Sequence, residues 1–386
     1  MKILIAVPDT GVGGVTSSAV NFSNELASRG HSVHFLDMSG ENACKDRLHT
    51  EVELLSLKGK SRLWNIGVSS VKKAHGAPKL GLLALGLIKK LTIRSGLWFR
   101  LIFSKFNECE NYDVAVAFRQ CAPCYSFVLN KVGAKKKIGF VHGDVRCMGN
   151  ISSWKKYMTR FDKIAYVSNA VKDGFVAAYP ALEKNASTIY NMFDVEKIKE
   201  LSAEPAPIEF DKTIKNIVTV SRIEDSQKRT LWIPHVAKAL KEKGVADFKW
   251  YVVGMGPDFH TNVKLTRDLG VDDVVSYIGS LDNPFPLVKS ADFSVLPSQW
   301  EAYGMVVVES MILGKPVVVT GYPAIYEIME HGKQGLIAEM DVNSLAEQVY
   351  AMLQNSNGIR EACANFLKSQ KINNDTAYKQ FINTIR

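Results

Sequence analysis

Two glutamates stand eight positions apart in LPSQWEAYGMVVVESMILGKPVV (296–318), Glu301 before and Glu309 inside a segment that otherwise reads as core. FSVLPS reads as a strand end and QWEAYG as a turn. A helix begins near Met305, with Val308, Ile312 and Leu313 on its apolar face. A helix N-terminus exposes unpaired N–H groups and a partial positive charge, which together favour a phosphate. Glu301 precedes that terminus and can reach a ligand above it. Glu309 lies a turn further in, where a carboxylate can accept two ribose hydroxyls. Capping of the helix also accounts for Glu301. A solvated role fits Glu309 poorly, because Val306–Val308 and Met311–Leu313 flank it.

Three more candidate sites follow strand-like runs. After KNIVTV comes SRIEDSQKRT, which places Arg222 and Lys228 at the mouth of a strand. A guanidinium fork binds two oxygens and an ammonium acts as a movable point charge, so the pair suits a diphosphate; two solvated loop cations are the plain alternative. After KWYVV comes GMGPDF, whose Gly254 opens a Gly-x-Gly turn into a helix. After the first strand comes PDTGVGGVTSS, where Gly11, Gly13 and Gly14 let backbone N–H groups approach a phosphate or a sugar; a tight strand-to-helix turn needs the same residues. His142 follows the run KIGFV, and both a satisfied core histidine and a ligand-facing one remain open. The CAPC of Cys121 and Cys124 has redox or metal spacing, but no further ligands stand nearby, so packing or turn cysteines are expected.

Short β-branched runs must position these residues. ILIAV, SVHFL, EVELLSL, DVAVAF, KIGFV, KIAYV and STIYN in the first half alternate with helical patterns such as 16–29. KNIVTVS, KWYVVG, VVSYIG, FSVLP and PVVVT repeat the theme, with helices expected at 229–243, 259–269 and 305–313. Such alternation predicts an α/β chain of two Rossmann-like, doubly wound domains facing across a cleft. Ligands of such sheets bind at the carboxyl ends of the strands. SAEPAPIEFDK (202–212) breaks the pattern. The expected division is therefore 1–200, a linker at 201–212, a second domain at 213–365, and a helical tail at 366–386 packing back on the first domain.

A chain of 386 residues with 46% hydrophobic residues and six cysteines suits two cores in a reducing compartment rather than a disulfide scaffold. The first apolar run, Ile3 to Val7, is short for a signal peptide, and the longest, LGLLALGLI at 80–88, is short for a membrane span. A cytoplasmic protein, soluble or peripheral on the inner face of the plasma membrane, is expected. Charge is uneven: eleven Lys and Arg and no Asp or Glu lie between Leu54 and Asn107, so the rest of the chain, against a total of +9, is near −2. Trp64, Leu82, Leu83, Leu85, Trp98, Phe99 and Phe103 interleave these cations. The composition of this basic insertion, 58–107, suits an anionic lipid surface, and a solvated helical pair is the alternative. No nucleic-acid reading motif accompanies the charge.

With these residues in view, the chain resembles a retaining glycosyltransferase of family 4, of the bacterial polysaccharide type, with the two-Rossmann GT-B fold. EAYGMVVVE is similar to that family's E-x7-E motif, and GKPVVVTGYPAIYEIMEHGKQGLI to the segment after it. SRIEDSQK resembles its Arg…Lys pair, with one residue more between the two than is commonest. GVGGVTSSAVNFSNELASRGHSVHFL, VHGD, YVSNAVKDGF and IYNMFD resemble first-domain landmarks, and only the basic insertion falls outside the likeness.

The resemblance implies a nucleotide-sugar donor in the second domain and an acceptor in the first. Arg222 and Lys228 would hold the diphosphate, Glu301 the sugar hydroxyls and Glu309 the ribose. Backbone amides of Tyr303, Gly304, Met305 and Val306 would cap a phosphate beside the Gly254 turn. Gly13 and Gly14 would lie against phosphate and acceptor, and His142 near the sugar. Glu301, Arg222, Lys228 and His142 would be the catalytic set, with no cofactor and no metal. The expected reaction moves a hexose or N-acetylhexosamine from a nucleotide-diphosphate sugar, a UDP-sugar foremost, to a glycan or lipid-linked acceptor. A GT-B epimerase or phosphorylase and a non-catalytic nucleotide-sugar binder are the alternatives.

Overall fold

The β-branched runs fold as parallel strands whose carboxyl ends carry the residues singled out above. The computed structural model describes residues 1–11, 13–57, 77–92, 111–149, 151–355, 357–365 and 373–386. The parts of the basic insertion at 58–76 and 93–107 lie outside the described residues; Ala77–Thr92 within it is a helix.

The chain divides into two compact units, Met1–Phe193 with Asn374–Arg386, and Asp194–Asn373. Among the described residues, the first unit holds seven parallel strands: β1 (Lys2–Val7), β2 (Ser32–Asp37), β3 (Val52–Ser56), β4 (Tyr112–Ala117), β5 (Ala134–Val141), β6 (Lys163–Tyr166) and β7 (Ala186–Thr188). Their spatial order is 3-2-1-4-5-6-7. The second unit holds β8 (Lys215–Val220), β9 (Phe248–Val253), β10 (Val275–Gly279), β11 (Phe293–Leu296), β12 (Val317–Thr320) and β13 (Gly335–Ala338), in the order 10-9-8-11-12-13. Each order reverses direction after its first strand, β1 or β8, which is the Rossmann arrangement. The short GLIA strand β13 carries no alternation and was not expected from the sequence pattern.

In the second sheet the period of two sorts side chains to opposite faces. Ile217, Trp250 and Val252 join Val236, Leu240, Leu345 and Val349 in one core; Val218, Tyr251 and Val253 join Phe210, Leu287 and Val288 in the other. Helices Trp232–Glu242 and Val342–Gln354 supply the first set of partners, burying large side chains at ~1.5–3 kcal/mol each.

The unit boundary falls earlier than the 202–212 composition break. Helix Val195–Leu201 belongs to the second unit, where Asn283 Nδ2 donates to the Leu201 carbonyl at 2.8 Å. Phe210, inside the segment read as a linker, stacks on Tyr251 with centroids 4.6 Å apart. Proline and acid content marks this stretch as irregular; most of it is exposed, and Phe210 anchors it to the second unit.

The terminal helix, Asn374–Ile385, is part of the first unit. Phe381 is fully buried with its ring edge on Phe22 at 5.3 Å, and Asn374 Nδ2 donates to Glu25 at 2.6 Å. Asp375 pairs with Arg29 at 2.6 Å.

Candidate active site

At the carboxyl edge of the second sheet, β8 and β11 are neighbours, so the loops that follow them run side by side. Lys228 Nζ donates to Glu301 Oε1, although 73 residues separate the two. Both side chains are largely buried, at 15% and 12% exposure. The Ser298 hydroxyl also donates to Glu301 Oε1, at 2.7 Å. The loops are tied along their backbones as well: Gln299 N donates to the Gln227 carbonyl at 2.8 Å, and Gln227 Nε2 donates to the Trp300 carbonyl at 3.3 Å. Neither a solvated Lys228 nor a Glu301 that merely caps a helix matches this arrangement.

Arg222 remains exposed at 59%, paired with Glu224 at 2.6 Å and donating to Gln227 Oε1 at 3.0 Å. Its loop is fixed by the Gly-x-Gly turn. A β-carbon on Gly254 (φ +143°) would stand 1.9 Å from the Ser221 carbonyl oxygen, and one on Gly256 would stand 2.2 Å from that of Ile223. Ile223 N donates to the Met255 carbonyl and Asp225 N to Asp258 Oδ2, at 3.0 and 2.7 Å. Glycine here is a condition of close approach between two backbones.

Helix Met305–Ile312 follows the Glu301 turn. Its N-cap is Gly304, left-handed at φ +96°, and no side chain caps it. The capping role open to Glu301 is therefore not the one it takes. With Gly304 accepting from Val307 N at 3.0 Å, the N–H groups of the first turn, Met305 and Val306, point out of the helix end. Tyr303 and Gly304 are buried in this turn. Glu309 is half-buried on the face it shares with Met305, takes no part in the Lys228–Glu301 pair, and has interactions of its own.

Gly13, Gly14 and His142 lie in the first unit. Gly13 is the N-cap of helix Gly14–Ser28, and both glycines are exposed beyond β1. His142 follows β5, its ring 4.9 Å from that of Phe118 and 5.6 Å from that of Phe140. Burial pushes its pKa down to about 3; a bond with the Phe118 backbone opposes this and the Arg119 charge adds to it. The imidazole is neutral at physiological pH, and its Nε2 is buried with no hydrogen-bond partner.

The strand-end pattern also holds residues that the sequence reading passed over. Arg119 and Asp9 each stand two residues beyond a strand, and their side chains pair at 2.7 Å. Their common offset was the available signal. Cys121 and Cys124 are free; Cys124 is buried with Sγ donating to the Ala6 carbonyl at 3.3 Å.

A groove of about 860 Å³ lies at the opposite, amino-terminal edge of the second sheet, lined by Phe210, Lys212, Lys215, Asn216, Asp247 and Asp292. Its mixed charges favour no ligand class. Among the described residues no helix is long and apolar enough to cross a membrane.

The family described as Glycosyl transferases group 1 matches residues 214–355. The N-acetyl-alpha-D-glucosaminyl L-malate synthase of Bacillus anthracis is 29% identical over 373 residues, covering 92% of this chain and 88% of that protein. Among solved structures, S. aureus TarM in complex with fondaparinux, alpha-GlcNAc-glycerol and UDP aligns with TM-score 0.73 at 14% identity, covering 100% of this chain and 99% of that one. Anabaena HepE in complex with UDP-glucose aligns with TM-score 0.67 at 17% identity, with coverage of 100% and 99%. At these identities the structures establish the fold. The two Rossmann-like units and these structural matches show a GT-B fold, whose second unit is similar to the group 1 glycosyl transferases across residues 214–355.

Proposed function

We propose that this glycosyltransferase binds a nucleotide-diphosphate sugar at the carboxyl edge of the second sheet and transfers the sugar with retention of configuration. The observation that carries this reading is the buried Lys228–Glu301 pair set beside Arg222 and the Met305 helix terminus. In the reaction the glycosidic C–O bond to the diphosphate breaks and negative charge grows on the leaving phosphate. Arg222, Lys228 and the N–H groups of Met305 and Val306 are fixed positive groups suited to that charge. Glu301 accepts hydrogen bonds from sugar hydroxyls, and Glu309 accepts from the ribose. The backbone of Tyr303, Gly304 and Gly254 shapes the pocket. The departing phosphate takes the acceptor's proton as the new bond forms on the same face, which requires neither a protein nucleophile nor a metal or other cofactor. Glu301 as a covalent nucleophile is the rival reading; the Lys228 ammonium paired with its carboxylate lowers its nucleophilicity.

The acceptor is assigned to the first unit, near Gly13, Gly14 and the neutral His142. UDP-sugars are the first donors to try, since TarM and HepE were solved with UDP or UDP-glucose and the Bacillus anthracis relative is named for N-acetylglucosaminyl transfer. Acceptors to try are an oligosaccharide, a polyprenyl-diphosphate-linked sugar and L-malate. A thermal-shift panel of nucleoside diphosphates and their sugars identifies the donor. Lys228→Ala and Glu309→Ala should each abolish most transfer while the protein stays folded, and near-wild-type rates in either variant sink the donor site. Incubation with nucleotide sugar alone separates transfer from epimerisation or phosphorolysis.

A peripheral membrane role at the cytoplasmic face is the second reading. Helix Ala77–Thr92 exposes Leu87 at 60% and Leu91 at 74%, beside Lys90 and within the segment that has no acidic residue. Each cation near an anionic surface contributes ~1 kcal/mol. Flotation with anionic liposomes at low salt should carry the protein up, and neutral liposomes should not.

A further inference from the structure

The donor-site reading gives Lys228 and Glu301 separate duties, yet the unliganded protein ties them together. Turning Lys228 towards a diphosphate strips Glu301 of its cation while the carboxylate stays largely buried. Its hydrogen bonds, from Lys228 and Ser298, both go to Oε1, which leaves Oε2 open. A buried carboxylate that loses its partner needs another donor.

Tyr322 stands two residues beyond β12, fully buried, and its hydroxyl has no hydrogen-bond partner. That hydroxyl sits against the Glu301 turn: a β-carbon on Gly304 would lie 2.3 Å from it. Burial pushes the phenol well above its ordinary pKa, and the Glu301 carboxylate adds to the push, so the group is a donor at every working pH. Its backbone is held in place by Tyr322 N donating to the Thr320 carbonyl at 2.9 Å and Ile325 N donating to the Tyr322 carbonyl at 3.0 Å. The Thr320 hydroxyl in turn donates to the Ser298 carbonyl, next to the same turn. A buried hydroxyl without a partner weakens a fold, and phenylalanine fills nearly the same space without that cost. The hydroxyl is therefore a donor still available to an acceptor in the Glu301 turn.

We propose that Tyr322 is a positioning residue, donating to the open Oε2 of Glu301 when Lys228 turns to the donor diphosphate and so keeping the carboxylate ionised and aimed at the sugar. This rests on the donor-site reading above.

The test is a double-mutant cycle on the full chain, with Tyr322→Phe and Glu301→Gln, singly and together. UDP and GDP are titrated calorimetrically, the tighter one serving as the probe, and thermal midpoints are measured without ligand. Tyr322→Phe should unfold at or above the wild-type midpoint and bind the nucleotide about tenfold more weakly, the scale of one hydrogen bond to a charged group. In the Glu301→Gln background the same change should cost less than about twofold, because a neutral amide needs no ionic partner. The inference is overturned by wild-type affinity in Tyr322→Phe, by an undiminished loss in the double variant, or by a lowered unliganded midpoint. In those cases wild-type nucleotide binding leaves the donor site standing. If the wild type binds neither nucleotide, the donor site fails and the inference falls with it.

Discussion

The Lys228 ammonium lies on the Glu301 carboxylate, joining the loop after β8 to the loop after β11. Two ideas about these residues meet in that contact. On the proposed reading, donor binding replaces this one ion pair with two separate interactions.

Removing one member of a mostly buried pair leaves the other uncompensated. Lys228→Met should therefore cost about 3 kcal/mol in urea unfolding, and the Lys228→Met/Glu301→Gln double variant should recover most of it. Equal stability of the single and double variants would contradict the pairing.

Arg222 differs, since its ion pair with Glu224 is exposed. Arg222→Ala should change stability by less than about 1 kcal/mol yet weaken nucleotide binding. The lost binding should also be the salt-sensitive part, measured by titration at low and high ionic strength.

Gly304 has both a left-handed backbone and no room for a β-carbon beside the Tyr322 hydroxyl. Gly304→Ala should destabilise the second unit by about 1–3 kcal/mol, and the Tyr322→Phe background should relieve part of that. A loss unchanged in that background would show that backbone conformation alone sets the cost.

His142 links pH to stability. A histidine in the unfolded chain titrates near pH 6.5, whereas burial keeps this one neutral down to about pH 3. The unfolded chain takes up the proton first, so the contribution is complete above pH 6.5 and is lost as pH falls from there towards 3. At pH 5.5 the loss is about 1.4 kcal/mol, and His31 and His34, also lowered by burial, act in the same direction. Urea midpoints at pH 7.5 and 5.5 should separate in the wild type and draw closer in His142→Gln.

Phe381 anchors the terminal helix on Phe22. Phe381→Ala should cost about 3–5 kcal/mol in the first unit and leave nucleotide binding by the second unit intact. Parallel loss of both would show that the two units do not unfold separately.

The chain alone determined most of the strands, because alternation and β-branching act over a few residues. It also determined where chemistry could sit, because Arg222, Lys228, Glu301 and the glycines of GMG all stand just past strands. Short or unpatterned elements escaped it: GLIA is too brief for a period to show, and helix Val195–Leu201 and Phe210 owe their place to packing in the second unit. Tertiary structure alone decided that Lys228 meets Glu301, that Gly304 rather than Glu301 caps the helix, and that Tyr322 approaches the same turn from within. The physical reason is strand order. Each side chain's own neighbours say nothing of which strand lies beside which, and only the pairing of β8 with β11, and of β11 with β12, brings three distant loops to one edge.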